Sequence, residues 1–518
     1  MKKLLAIVLS GLLAASVLTG CGSGSESEGQ EITVAQTTEA QTEQETTEAQ
    51  NGNSASFSDA DDISYMMIYN PNIYDSKAEV HNDSKSTGDL SKWIDPNANR
   101  ADGEKAKNKY KEFEQKALSE LTKKKVPEKI ETDRAGEKVP TYKLGQNHTF
   151  KCGIIENKSV PETFKCVYAG DNCYVWLRNE DSSKKKSAVK MGEEFDSKIY
   201  EKDVEMFGEP RYADEGGKIN IILEPLPQGV LGFFSQLEIF TKAELVYLGM
   251  DSTTASKLNT GEAIIHASSD MIGVSDTQDE ALCGTLAHEF QHLICGSDAI
   301  FNGKLKMAST WLNEAMSTYA GEVLYPGSIE VKNQDISLMI SPLIRSGQSL
   351  YNFSTETDDG EGDYGVYGSV YLFADYLSKL AGKDVFKNIH DHFRRADTVK
   401  TDAEAIYNSV PDSVKSEIDS KISYPSTITF DSDAEEWLSK LTLDFYKNVL
   451  ETNPAVFERL KKEYFLYDTI SPADIEGGGR IIAATKNGSF DVASDADQPM
   501  VYIGFDKNFS AVTDPVIK

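Results

Sequence analysis

The run Ala287-His288-Glu289-Phe290-Gln291-His292 places an acid between two histidines that are four residues apart. The chain has only seven histidines, so two of them in this pattern carry information. On an α-helix, residues i and i+4 lie on one face, so His288 and His292 can reach the same ion. Glu289 lies beside the pair, where a carboxylate can take a proton from water activated there. A catalytic zinc site needs three protein ligands and one open position. The candidate third ligand is Glu314, 22 residues beyond His292, in Trp311-Leu312-Asn313-Glu314-Ala315-Met316-Ser317-Thr318. Its neighbours Trp311, Leu312, Ala315 and Met316 are apolar. They predict a buried and therefore paired carboxylate rather than a solvated one.

Asn313-Glu314-Ala315 on a second helix resembles the third-ligand motif of the gluzincin metallopeptidases, the thermolysin-like group with two His and one Glu. The two segments together resemble the hyicolysin family of secreted bacterial neutral metallopeptidases. Gly232-Phe233-Phe234, Lys242-Ala243-Glu244 and Tyr367-Gly368-Ser369-Val370-Tyr371-Leu372-Phe373 follow in the order that family shows. The resemblance spans roughly residues 140–400 and is specific at the two zinc helices. It implies a zinc endopeptidase with one Zn2+ per chain, ligands His288, His292 and Glu314, and Glu289 as general base. The thermolysin group carries an Asp four residues after the third ligand, to orient a ligand histidine. Here that position is Thr318, so Thr318, Ser317, Glu322 or a backbone carbonyl must serve. Related gluzincins use a Tyr on a later helix to stabilise the oxyanion. Tyr364, Tyr367 and Tyr371 share a helical face, which makes Tyr367 the expected donor and Tyr364 the reserve. Aromatic packing is the competing reading for each, and His390 and His392 are further candidate donors. The oxygen-rich run Thr355–Asp363 could hold Ca2+, but it lacks EF-hand spacing and reads more simply as a solvated acidic loop.

The elements that must position these residues follow from periodicity. Helices are expected near Glu104–Thr122, Gln278–Cys295, Thr310–Leu324, Tyr364–Ala381 (stopped by Gly382) and Ala434–Leu450. In the first of these, Ala106, Tyr110, Phe113, Ala117 and Leu121 form the apolar face. Strands are expected across 138–177, with a hairpin turn at Ala169–Asn172, and at Lys218–Leu223, Ala243–Leu248 and Glu262–His266. Ala243–Leu248 is the expected edge strand for an extended peptide. The C-terminal segment reads as a small β module. The predicted class is α+β: a gluzincin-type catalytic domain with a mixed sheet and a zinc-binding helix, between two small modules. The boundaries are 63–185 for a β-rich N-terminal module, which could be a removable pro-segment, 186–400 for the catalytic domain, 401–470 for a helical lobe and 471–518 for the β tail. Cys152, Cys166, Cys173, Cys283 and Cys295 are an odd number once Cys21 is assigned elsewhere, so no complete disulfide framework forms. A bridge between Cys166 and Cys173 and two free thiols are equally good readings.

Met1–Gly20 has a basic start and an apolar run too short for a comfortable membrane span, which is the pattern of a signal peptide. It ends in Leu18-Thr19-Gly20-Cys21, which resembles the lipobox of bacterial lipoproteins and implies a lipid on Cys21. Residues 21–62 are rich in Ser, Glu, Gln and Thr and read as a disordered acidic tether. With 53 Lys+Arg against 83 Asp+Glu, the net charge of −30 argues against nucleic-acid partners. The expected protein is a lipid-anchored extracytoplasmic enzyme, monomeric, acting on protein or peptide substrates. The competing readings are a surface ligand-binding lipoprotein with a non-catalytic zinc motif, and a zinc hydrolase of cell-wall peptide amides. The intact Glu289 favours the peptidase, because a pure binder needs no base there.

Overall fold

The structure is a computed structural model. It describes residues 53–57, 63–73, 78–81, 107, 109–111, 113–114, 117–118, 139–156, 158–210, 217–248, 250–258, 260–301, 307–326, 349–353, 365–394, 401–455, 473–475, 478–484, 490–494 and 499–517. Cys21, Tyr364, the tether up to residue 52 and the acidic run 355–363 lie outside these. The strands in chain order are β1 (Asn53–Phe57), β2 (Tyr65–Tyr69), β3 (Ala78–His81), β4 (Asn147–Cys152), β5 (Val160–Ala169), β6 (Cys173–Arg178), β7 (Ile219–Glu224), β8 (Gly232–Phe234), β9 (Ile264–Ser268), β10 (Ala473–Ile475), β11 (Arg480–Ala484), β12 (Phe490–Ser494), β13 (Val501–Phe505) and β14 (Val516–Ile517). The helices of seven residues or more are α1 (Lys185–Glu194), α2 (Tyr200–Phe207), α3 (Lys242–Leu248), α4 (Ser252–Leu258), α5 (Asp276–Phe301), α6 (Thr310–Leu324), α7 (Gly365–Ala381), α8 (Val385–Arg394), α9 (Asp402–Ser409), α10 (Asp412–Lys421) and α11 (Asp433–Thr452). The class is α+β, as expected.

A six-stranded mixed sheet of order β4-β5-β6-β7-β9-β8 underlies the site. Its central strands β6 and β7 are buried without alternation, as suits strands covered on both faces and paired in parallel. β8 ends the sheet, antiparallel to β9. One face packs against α1, α2 and α5. The other carries a smaller cluster of Phe150, Phe164, Tyr174, Trp176, Ile222 and Ile264, with Tyr142 over it. This sheet runs across the expected boundary at residue 185, because β6 pairs directly with β7. α1 and α2 are one helical run widened into a π-turn at Phe195–Ile199, whose Phe195 ring lies 5.1 Å from that of Phe290 on α5.

Three further expectations are corrected. Ala243–Leu248 is helix α3, not an edge strand. Thr241 and Glu244 form a reciprocal cap, with the Thr241 amide donating to Glu244 Oε2 (2.6 Å) and the Glu244 amide to Thr241 Oγ1 (3.3 Å). The edge position belongs to β8. The N- and C-terminal β segments are also not separate modules: β2 lies between β11 and β13, and β12 between β1 and β3. Residues 53–57, expected in the tether, form β1 along β12. Of the two readings left open for Cys166 and Cys173, the free thiols are what the structure has. The β5–β6 hairpin exists, but its register sets Cys166 opposite Trp176, and the two thiols fall into clusters on opposite faces of the sheet. Gly382 ends α7 with a φ of +92°, as predicted. Among the described residues, no helix is long and apolar enough to cross a membrane.

Candidate metal centre

The centre is assembled by two helices. α5 begins where the Ser275 hydroxyl accepts the Gln278 amide at 3.2 Å, in the manner of an N-cap. Leu282, Leu286, Phe290 and Leu293 are buried along it, so its His288–His292 face is fixed in rotation. α6 is held by Trp311, whose ring meets Tyr351 and Phe373 edge-on at 5.0 and 5.6 Å. The two helices pack together and bring Glu314 over the histidine pair.

His288 Nε2 and His292 Nε2 are 3.2 Å apart, and Glu314 Oε2 lies 3.3 Å from the first and 3.6 Å from the second. Zinc bonds of about 2.0–2.1 Å at tetrahedral angles put ligand atoms about 3.3 Å apart. The triangle therefore has the size that one ion requires. All three side chains are buried, and Glu314 Oε2 has no hydrogen-bond partner among the described residues. A buried carboxylate oxygen aimed at two imidazole nitrogens is costly unless a cation is shared between them. The residues present fit a metal ion.

Glu289 stands beside this triangle at 2% exposure. Burial acts to raise its carboxyl, but Lys107, then His288 and His292, outweigh that and hold it down at about 2. Burial likewise opposes ionisation of Glu314, and Lys111 and His292 bring it well below the usual carboxylate range. Burial pushes His288 down, favouring the neutral ring that a metal needs. Gly232 on β8 explains how the edge strand comes this close. A Cβ there would stand 2.7 Å from Thr285 Cγ2, 3.0 Å from the His266 carbonyl oxygen and 3.4 Å from Glu289 Cγ.

Tyr367 on α7 lies beside the pair, its ring centre 6.2 Å from that of His288, and is half-buried. One other expected donor is committed elsewhere. His390 is buried away from the triangle, with Nε2 donating to Asp298 at 2.5 Å and Nδ1 3.3 Å from Cys295 Sγ. Neither expected hydroxyl orients a ligand ring. Ser317 Oγ donates to the Glu314 carbonyl at 3.1 Å, and Thr318 Oγ1 has no partner among the described residues. The Nδ1 atoms of both ligand histidines also lack partners there.

Two lysines that sequence reasoning did not single out enter the site. Lys107 Nζ lies 3.3 Å from Glu289 Oε1, and Lys111 pairs with Glu314 Oε1. The only signal for them was their i, i+4 spacing on the helix expected over Glu104–Thr122. Of the apolar face assigned to that helix, Tyr110 is buried as expected, but Phe113 is exposed and Lys107 and Glu114 are buried beside Tyr110.

No protein-family model matches the chain. A neutral metalloprotease, ShpI, from Staphylococcus hyicus is 26% identical over 299 residues, which cover 54% of this chain. The match covers 62% of that relative's length. This similarity, with the buried His288–His292–Glu314 group, supports a metallopeptidase relationship.

Proposed function

We propose that this protein is a zinc-dependent endopeptidase, tethered outside the cytoplasm by a lipid on Cys21. The carrying observation is the triangle of His288, His292 and Glu314, sized for one tetrahedral ion with the Glu289 carboxylate next to it. The name of the similar ShpI protein, a neutral metalloprotease, supports the same activity. His288, His292 and Glu314 hold the ion. When bound, zinc supplies Lewis acidity, polarising the scissile carbonyl and making water acidic enough to lose a proton near neutral pH. Glu289 accepts that proton and later delivers it to the leaving amine. The Tyr367 hydroxyl donates to the oxyanion that develops on the carbonyl. β8 offers its free edge to an extended peptide, the role first expected of Ala243–Leu248. Substrates are proteins or peptides, nucleic acid is not a partner, and the chain works as a monomer. The signal-like leader and Leu18-Thr19-Gly20-Cys21 support the lipid anchor.

The test is hydrolysis of an unfolded protein by residues 22–518 loaded with one equivalent of zinc, beside Glu289→Gln at matched zinc content. Loss of a general base is expected to lower turnover about 10²- to 10⁴-fold while leaving the metal bound. Equal turnover in both proteins would remove Glu289 from the chemistry. Failure to bind zinc would remove the site itself.

A further inference from the structure

A catalytic metal centre that takes macromolecular substrates must be open, and this one is closed. His288, Glu289, His292 and Glu314 are each 7% exposed or less. Among the described residues, Lys107 and Lys111, both helical, reach into it. Lys107, Tyr110, Lys111 and Glu114 are spaced i, i+3, i+4 and i+7, and so lie on one face. Lys107 reaches the proposed base and Lys111 the proposed third ligand. Lys111 takes Oε1 of Glu314 while Oε2 faces the two imidazoles, so this contact and metal binding use different oxygens.

The same face covers the end of the edge strand. Tyr110 OH is 2.8 Å from Ser235 Oγ, Ser235 Oγ donates to Glu114 Oε1 at 2.7 Å, and the Leu237 amide donates to the same oxygen at 3.3 Å. Ser235–Leu237 directly follow β8, so the segment lies across the route a substrate backbone would take beside it. A helix has its backbone donors and acceptors satisfied internally, so it cannot pair with β8 or present a peptide bond to the centre as a substrate does.

We propose that the helical residues Lys107, Tyr110, Lys111 and Glu114 form a built-in inhibitor of the active site: Lys107 and Lys111 neutralise its two carboxylates, Tyr110 and Glu114 latch this face to the turn after β8, and the enzyme is latent until the face is displaced. This rests on the metallopeptidase reading. Two variants of residues 22–518 test it: Lys107→Ala/Lys111→Ala, which removes the ammonium contacts, and Tyr110→Ala/Glu114→Ala, which removes the latch without touching Glu289 or Glu314. The first readout is calorimetric binding of a peptidyl hydroxamate, a metal-chelating probe whose binding needs no turnover. The second is kcat/KM on an unfolded protein. The lysine contacts are charge-assisted hydrogen bonds to carboxylates, and the latch is a buried network of two hydroxyls, an amide and Glu114, so both variants should bind the probe about tenfold tighter or more. Their kcat/KM should rise in step. Equal probe affinity in the parent and both variants overturns the inhibitor, as does lower turnover in the lysine variant, which would make the lysines helpers of the reaction. The Tyr110/Glu114 variant carries the test if the lysine variant fails to fold. Tight probe binding in the latch variant with no hydrolysis would keep the inhibitor and sink the peptidase. Absence of zinc binding throughout would sink both.

Discussion

Charged groups far from water are the recurring device at the residue scale, and the centre is one of three examples. His266 is fully buried between Glu224 and Glu238, with ring-to-carboxylate distances of 2.5 and 2.9 Å, and Phe233 of β8 stacks on it at 4.2 Å. Burial disfavours the charged ring, but Glu238 and then Glu224 overcome this and raise it to about 10. His390 is raised to about 10 in the same way, with Cys295 and Asp298 opposing the effect of burial. A histidine raised in the folded state contributes stability that is complete below the unfolded value of about 6.5 and is lost as pH climbs to its folded value. The thermal midpoint should therefore fall between pH 7 and 10. In His266→Gln the midpoint is lower at pH 7 but should fall less steeply over the same range. Parallel slopes for the two proteins would show that His266 is not charged in the native state.

The close fit of strand and helix at Gly232 decides the behaviour of the elements. β8 can hold its place only if nothing projects toward Thr285, so Gly232→Ala forces β8 and α5 apart by some tenths of an ångström. Overpacking of this kind costs about 1–3 kcal/mol, and here the atoms displaced include the Glu289 side chain. Denaturant unfolding of Gly232→Ala should show that loss, and turnover in the latch-free background should drop more than metal affinity does. Unchanged stability would mean that β8 moves without resistance. The elements also show where sequence was informative. The two helices of the candidate metal centre were readable, because a 3.6-residue apolar period and the His288–His292 spacing agree on the same face; α6 begins and ends at the residues predicted. α3 was misread as a strand because its short apolar run fits either period, and the Thr241-x-x-Glu244 cap that decides the matter begins at Thr241, just before it. The helical stretch around Tyr110 was read as amphipathic, and Tyr110 is buried as expected while Phe113 is not. It buries polar residues against a polar site, and apolar periodicity has no means of seeing complementarity to a partner distant in sequence.

Strand pairing between distant parts of the sequence governs the whole molecule, and these pairings cross the boundaries drawn along the chain. β2 is the central strand of β11-β2-β13-β14, with Met66, Met67, Ile68 and Tyr69 wholly buried. Tyr69 donates to the Ser439 carbonyl of α11 at 3.1 Å, and Tyr65 stacks on Phe509 at 4.4 Å. The N-terminal residues 53–81 thus complete the C-terminal sheets rather than precede the enzyme as a detachable unit. The inhibitory helix lies between β3 and β4 in sequence, so relief of inhibition must leave β1–β3 in place and move only what lies between. A chain beginning at Val139 loses β2, leaving β11 and β13 with unpaired edges and an apolar face open to water. It is expected to aggregate or to unfold at markedly lower temperature than residues 22–518. A chain beginning at residue 53 keeps all fourteen strands and should match residues 22–518 in thermal midpoint. If the chain from Val139 were monomeric, equally stable and more active, residues 53–138 would be a pro-segment in the ordinary sense. The expected result, lost stability without clean activation, makes the N-terminal strands part of the mature fold and confines inhibition to the helix between them.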